Sequence, residues 1–147
     1  MPDTTTDSRP AFVPRGPDAR GCYWGTGRRK TAVARVRVKA GGGQFKVNEK
    51  DLEVFFTEER DLRNIMGILE RTSLKGTVDV ICSTNGGGFT GQSGAIILGL
   101  GRALMNFDPN LEPILREHGY LTRDDRKVER KKYGQSGARR RFQFSKR

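Results

Sequence analysis

The chain has 147 residues, with 28 Lys and Arg against 17 Asp and Glu and a formal net charge of +11. Its 34% hydrophobic content and mean hydropathy of −0.67 leave room for one modest domain with tails, not for a large core. One His and two well-separated cysteines, Cys22 and Cys82, exclude a zinc site or disulfide framework and fit a reducing compartment; the most apolar run, 95–100, is too short to span a bilayer.

Residues 1–22 hold Pro2, Pro10 and Pro14 and no apolar run, so they read as a disordered N-terminal arm and not as a signal peptide. A folded centre begins near Tyr23. Over 31–39 the chain alternates, with Ala32, Ala34, Val36 and Val38 on one side and Arg35, Arg37 and Lys39 on the other. That period predicts a strand with one core face and one cationic face. The run Gly41-Gly42-Gly43 reads as a turn, and 44–47 as a returning strand, which predicts a hairpin. Asp51 is placed to cap a short helical turn over 52–56.

Residues 60–71 are ambiguous: Leu62, Ile65, Met66 and Leu69 have helical spacing, but Gly67 weakens the pattern and its end is poorly marked. Residues 77–83 read as a strand with Val78, Val80 and Cys82 on one face. A glycine-rich loop, 85–94, then leads into a helix from about Gln92 to Phe107. Asp108-Pro109 opens another short helix that ends at Gly119; capping at Asn110 would place Pro113 in its first turn. The interleaving predicts an α+β fold, an α/β sandwich. The expected organisation is an arm over 1–22, a globular domain over 23–122 and a basic extended tail over 123–147.

The excess charge is concentrated at one end. From Arg126 to Arg147 there are ten Lys and Arg and one acid, Glu129, with too few apolar residues to offset the entropy of ordering. Such a segment is a polycation suited to a polyanion, first of all nucleic acid. Fully extended at about 3.3 Å per residue, it approaches roughly 70 Å. A second cluster, Arg28-Arg29-Lys30 with Arg35, Arg37 and Lys39, meets no acid before Glu49; like charges at spacing two repel, and an RNA backbone relieves that cost.

The glycine loop reads either as a phosphate-binding turn, through the first N–H groups of its helix, or as a flexible connection. It lacks the Lys of a P-loop. Tyr23 and Trp24, beside the second cluster, either stack on bases or pin the arm to the core. His118 sits at a helix end with nothing to complete a catalytic pair. No metal-ligand spacing and no nucleophile–base pair is legible.

Four stretches carry a resemblance. Gly25-Thr26-Gly27-Arg28-Arg29-Lys30-Thr31-Ala32-Val33-Ala34-Arg35-Val36 resembles the opening signature of the small-subunit ribosomal protein nine family, in its bacterial or organellar type. The stretches 86–96, 121–134 and 138–147 resemble that family's glycine-rich, late and terminal motifs, in the same order. The resemblance implies a fold like the second domain of ribosomal protein five, with a left-handed βαβ crossover and a long extended C-terminal tail. It implies a structural role and no enzymatic one, without cofactors, on the ribosome of the cytoplasm or of an organelle.

Its implied partners are the head (3′ major domain) of small-subunit rRNA, peptidyl-site tRNA and neighbouring ribosomal proteins of the head, with no membrane. Carried over, Lys146 and Arg147, assisted by Ser145, touch the tRNA anticodon loop. The rRNA-contacting set is Arg28, Arg29, Lys30, Arg35, Arg37, Gly87, Gly88, Gln92, Arg123, Arg130, Lys131, Lys132, Tyr133, Arg139, Arg140 and Arg141. Phe142 stands where the family pattern expects a proline, Pro113 replaces an ordinary helical residue, and 1–22 are an extension.

Two other readings compete. A small-molecule kinase would use 86–95 as a phosphate cradle, but it needs a magnesium-binding acid and a base, and nothing pairs the nearby acids Asp79 and Asp108 with a base. A free-standing DNA or membrane-surface binder would use the tail alone, yet Gly134 and Gly137 break any amphipathic helix there.

Overall fold

The computed structural model describes residues 12–146. Strands β1 (Tyr23–Arg29), β2 (Ala32–Ala40), β3 (Phe45–Val47), β4 (Lys50–Asp51) and β5 (Val78–Asn85) form one sheet in the order β1-β2-β5-β3-β4. Helices α1 (Leu52–Phe55), α2 (Glu59–Arg71), α3 (Phe89–Phe107) and α4 (Glu112–Glu117) interleave with them, so the fold is α+β. Among the described residues, no helix is long and apolar enough to cross a membrane.

The alternation in β2 does what its period requires: Ala32, Ala34, Val36 and Val38 are fully buried, and Arg35 and Lys39 are exposed. The core continues through Val80 and Cys82 of β5, Ile65 and Ile68 of α2, and Ile96, Leu100 and Leu104 of α3. Helix α2 runs through Gly67 without a break, since its apolar face is held by tertiary packing.

The expected hairpin between β2 and β3 is not formed. Strand β5 lies between them, antiparallel to β2 and parallel to β3. The glycine run instead turns around a carboxylate: the N–H groups of Gly43 and Gln44 donate to Asp79 Oδ1 at 2.9 and 3.0 Å. With α2 in the connection, β3 and β5 make a βαβ unit.

Strand β1 owes its place to two glycines. A Cβ on Gly25 would come within 2.2 Å of the Gly99 carbonyl oxygen, and one on Gly27 within 1.8 Å of that of Ala95. Helix α3 therefore lies directly on the β1 backbone, which no side chain at either position would permit. The same helix covers the outer edge of β1: Arg102 Nη1 donates to the Thr26 carbonyl at 2.7 Å and Asn106 Nδ2 to that of Trp24 at 2.9 Å.

At the ends of elements, the expectations are refined. Asp51 occupies the N-cap of α1, but its side chain accepts no capping bond. Asp108 is the cap of a 3₁₀ turn, Pro109–Leu111, accepting from Asn110 N–H at 3.0 Å; α4 then starts at Glu112, with Pro113 in its first turn where no N–H is needed. Gly119, with φ +74°, follows it. Of the arm, Asp18 gathers a turn by accepting from the N–H groups of Arg20 and Cys22 and from Trp24 Nε1. Asp18 is held below the usual carboxylate range by the Trp24 bond first and the Cys22 bond next. Residues 1–11 of the arm lie outside the described residues.

Candidate nucleic-acid interface

The glycine loop and the β1–β2 turn are packed against each other. Lys30 takes a left-handed backbone, φ +53°, at the turn, and Gly86 and Gly87 do so in the loop, with φ +75° and +63°. A Cβ on Gly86 would stand 2.5 Å from the Thr31 carbonyl oxygen, and one on Gly87 3.2 Å from Ala32. Gln92 Nε2 donates to the Gly86 carbonyl at 3.1 Å, so the loop is closed by its own helix. Gly88, the N-cap of α3, differs: nothing lies within 4 Å of the place its Cβ would take.

Arg29 leaves this turn and crosses the first turns of α3. Its Cδ lies where a Cβ on Gly94 would be, at 2.2 Å, and its Nη2 reaches Asp124 Oδ2 at 3.6 Å. Asp124 in turn accepts from Arg126 Nε at 3.0 Å, Arg126 Nη2 at 2.7 Å and the Arg126 N–H at 3.1 Å. Those Arg126 bonds, more than the charge of Arg29, hold the Asp124 carboxyl well below the usual carboxylate range. Beside this junction Arg29, Lys30, Arg126, Lys127 and Val128 line a cleft of about 280 Å³. Four cations around one opening make a site for an anion such as a phosphate.

The sheet face away from the helices adds a second cationic surface. Trp24 and Arg37 are cross-strand partners, and the Arg37 guanidinium lies 5.2 Å from the indole centroid, a cation–π contact. Thr26 pairs with Arg35, and Arg35 with Ser83 on the other side. Trp24 is 44% exposed, whereas Tyr23 turns edge-on to Phe107 at 5.3 Å. Tyr23 thus pins the start of the domain to α3, and Trp24 alone is offered to a ligand.

The tail does not run straight. Glu129 pairs with Lys132 and with Arg139 Nε, the latter at 2.9 Å. Lys132 Nζ also donates to the Ala138 carbonyl at 3.2 Å, the Ser136 N–H donates to the Arg140 carbonyl at 3.0 Å, and Gln135 bridges Arg141. Residues 129–141 close into a loop, which shortens the extended path expected for the tail. Tyr133 stands on it 96% exposed. Glu129 is held below the usual range by Lys132 first and Arg139 next.

The family model described as "Ribosomal protein S9/S16" matches residues 27–147. The chain belongs to that family. It is 51% identical over 128 residues to the small ribosomal subunit protein uS9 of Thermotoga sp. (strain RQ2), covering 85% of this chain and 96% of the relative. The protein of the same name from Thermotoga maritima matches with the same figures, and that of Thermotoga neapolitana at 50% identity, again covering 85% and 96%. Membership in the S9/S16 family makes this a small-subunit ribosomal protein and not an enzyme.

Against that background, the family motifs that stand apart in the sequence meet in space. Arg29 of the opening motif, Gly94 of the glycine-rich motif and Asp124 of the late motif form one junction. Lys30 joins it at the cleft, while Arg28, Arg35 and Arg37 lie on β1 and β2. Gly87 and Gln92 are occupied within the protein, and Gly88 stays open. Arg123 adjoins Asp124 at the root of the tail. Arg130, Lys131, Lys132, Tyr133, Arg139, Arg140 and Arg141 belong to the closed loop, and Ser145 and Lys146 follow it without regular structure. Arg147 lies outside the described residues. Asp124, Arg126 and Lys127 are not among the contact residues expected from sequence; the legible signal for them is the acid pair Asp124-Asp125 set between Arg123 and Arg126-Lys127.

Proposed function

We propose that this ribosomal protein binds small-subunit rRNA of the head through the Arg29–Asp124 junction, the cationic sheet face and the looped tail. On this reading Lys146 and Arg147, helped by Ser145, contact the anticodon loop of peptidyl-site tRNA. The observation that supports it most is the cleft of Arg29, Lys30, Arg126 and Lys127 at the junction of three family motifs. Arg35, Arg37 and Trp24 extend the surface with charge and one stacking ring. The protein performs no chemistry: it neutralises and positions RNA, on the ribosome of the cytoplasm or of an organelle. The glycine loop fits a kinase poorly, because its left-handed Gly86 and Gly87 are packed against the β1–β2 turn and are not free to close over a nucleotide.

The test is binding of the full chain to a head-domain rRNA fragment, with Arg28, Arg29 and Lys30 changed together to Ala. Losing three phosphate-facing cations is expected to weaken binding at least about tenfold and to reduce the salt slope by about 2. Unchanged affinity and slope would return the cluster to a solvated face.

A further inference from the structure

One corner of the molecule contradicts its overall charge. Between 49 and 61 the chain carries Glu49, Asp51, Glu53, Glu58, Glu59 and Asp61 against only Lys50 and Arg60, in a chain of net +11. All of these acids except Asp61 are exposed. Large apolar side chains are exposed in the same place: Val54 is 65% and Phe89 58% exposed. The Phe89 ring stands 5.7 Å from Phe55 and 6.3 Å from Phe56, and Phe55 and Phe56 lie 4.9 Å apart, all edge-on. Phe56 is 1% exposed, so the outer rings are braced against the core and present a fixed surface. Exposed aromatics on a rigid base mark an interaction surface.

The charge decides what kind. Phosphates are repelled by an acidic rim, so an RNA occupant is disfavoured at this corner, whereas like-charged rims select cationic partners. We propose that Val54, Phe55 and Phe89, rimmed by Glu49, Glu53 and Glu58, form the docking surface for a Lys/Arg-rich segment of another ribosomal protein that inserts an apolar side chain among the rings. The proposal rests on the ribosomal reading above and adds a protein-facing side to it. The cationic faces take RNA, and this corner takes basic polypeptide.

The experiment incorporates p-benzoylphenylalanine in place of Val54 in the full chain, with a second probe in place of the exposed Glu53 and a control in place of Tyr133. Small subunits assembled in cells are purified and irradiated. Co-sedimentation of the control protein with subunits, and its RNase-sensitive crosslink, test the rRNA reading separately. At positions 54 and 53 the expected product is RNase-resistant and joins one other ribosomal protein through a Lys/Arg-rich peptide. In an E49K/E58K background its yield is expected to fall about fivefold. A crosslink to rRNA, a crosslink to a second copy of this chain, or no crosslink at either position while the Tyr133 control reacts would overturn it.

Discussion

The Arg29 guanidinium reaches Asp124 Oδ2 at 3.6 Å, bridging the β1–β2 turn to the root of the tail. Asp124 also grips Arg126 through three side-chain contacts and its backbone N–H. A single acid therefore fixes where the polycation leaves the domain and which way it starts.

Replacing Asp124 with Asn is expected to loosen that root and to speed tryptic cleavage after Arg126 and Lys127, while the far-ultraviolet spectrum stays unchanged. The pH dependence has a definite sign. The folded-state pKa is depressed below the ordinary carboxylate value by the Arg126 bonds, so the tether is fully present above that ordinary value and is lost only as pH falls through the lower folded one. Cleavage by an acid-tolerant protease at about pH 4 should thus find the root still closed in the natural chain. Equal rates for the natural chain and D124N would remove Asp124 from this role.

Gly27→Ala places a methyl group 1.8 Å from the Ala95 carbonyl oxygen and 2.4 Å from the Gly99 nitrogen. Both are backbone, so helix α3 must lift from β1. Overpacking of this kind costs about 3 kcal/mol, measurable as a lower urea midpoint. Gly88→Ala meets open space and should cost no more than about 1 kcal/mol, the scale of an N-cap change. If rRNA backbone approaches Gly88, that variant nevertheless binds the fragment more weakly.

Glu129→Gln removes the acid that holds Lys132 and Arg139. The loop over 129–141 should open, seen as a larger hydrodynamic radius of the free chain at low salt. Two cations are released to RNA, so the slope of log affinity against log salt should steepen by about 1 to 2. An unchanged slope would mean that Glu129 already yields Lys132 and Arg139 to RNA in the complex.

Deleting Lys146 and Arg147 should leave incorporation into subunits intact and weaken peptidyl-site tRNA binding. The readout is tRNA retention on purified subunits carrying the truncated chain, and normal retention would refute the tRNA contact.

Local pattern made β2, α3 and the tail's charge legible in the sequence, because each is set by period or composition within a short window, whereas α2 stayed ambiguous because Gly67 interrupts its spacing. Strand β1 was hidden, since Gly25 and Gly27 look like loop residues until α3 is seen lying on them. The false hairpin has a similar origin: Gly41-Gly42-Gly43 marks a turn but not which strand follows, and the partner of β2 comes from 38 or more positions away in β5. At the interface, the cations could be read as a class. The junction could not, because Arg29, Gly94 and Asp124 are neighbours only through the fold. Glu129 shows the other limit, as one acid among ten cations changes a tail that composition alone describes as extended.

The Arg102 and Asn106 side chains that occupy the outward carbonyls of Thr26 and Trp24 have a consequence for the chain before it reaches its RNA. An open strand edge templates growth by further strands, and a newly made ribosomal protein waits in a crowded cell at high local concentration. With β1 blocked by its own helix, and the opposite edge reduced to the charged pair Lys50–Asp51, the waiting chain resists polymerisation into fibrils.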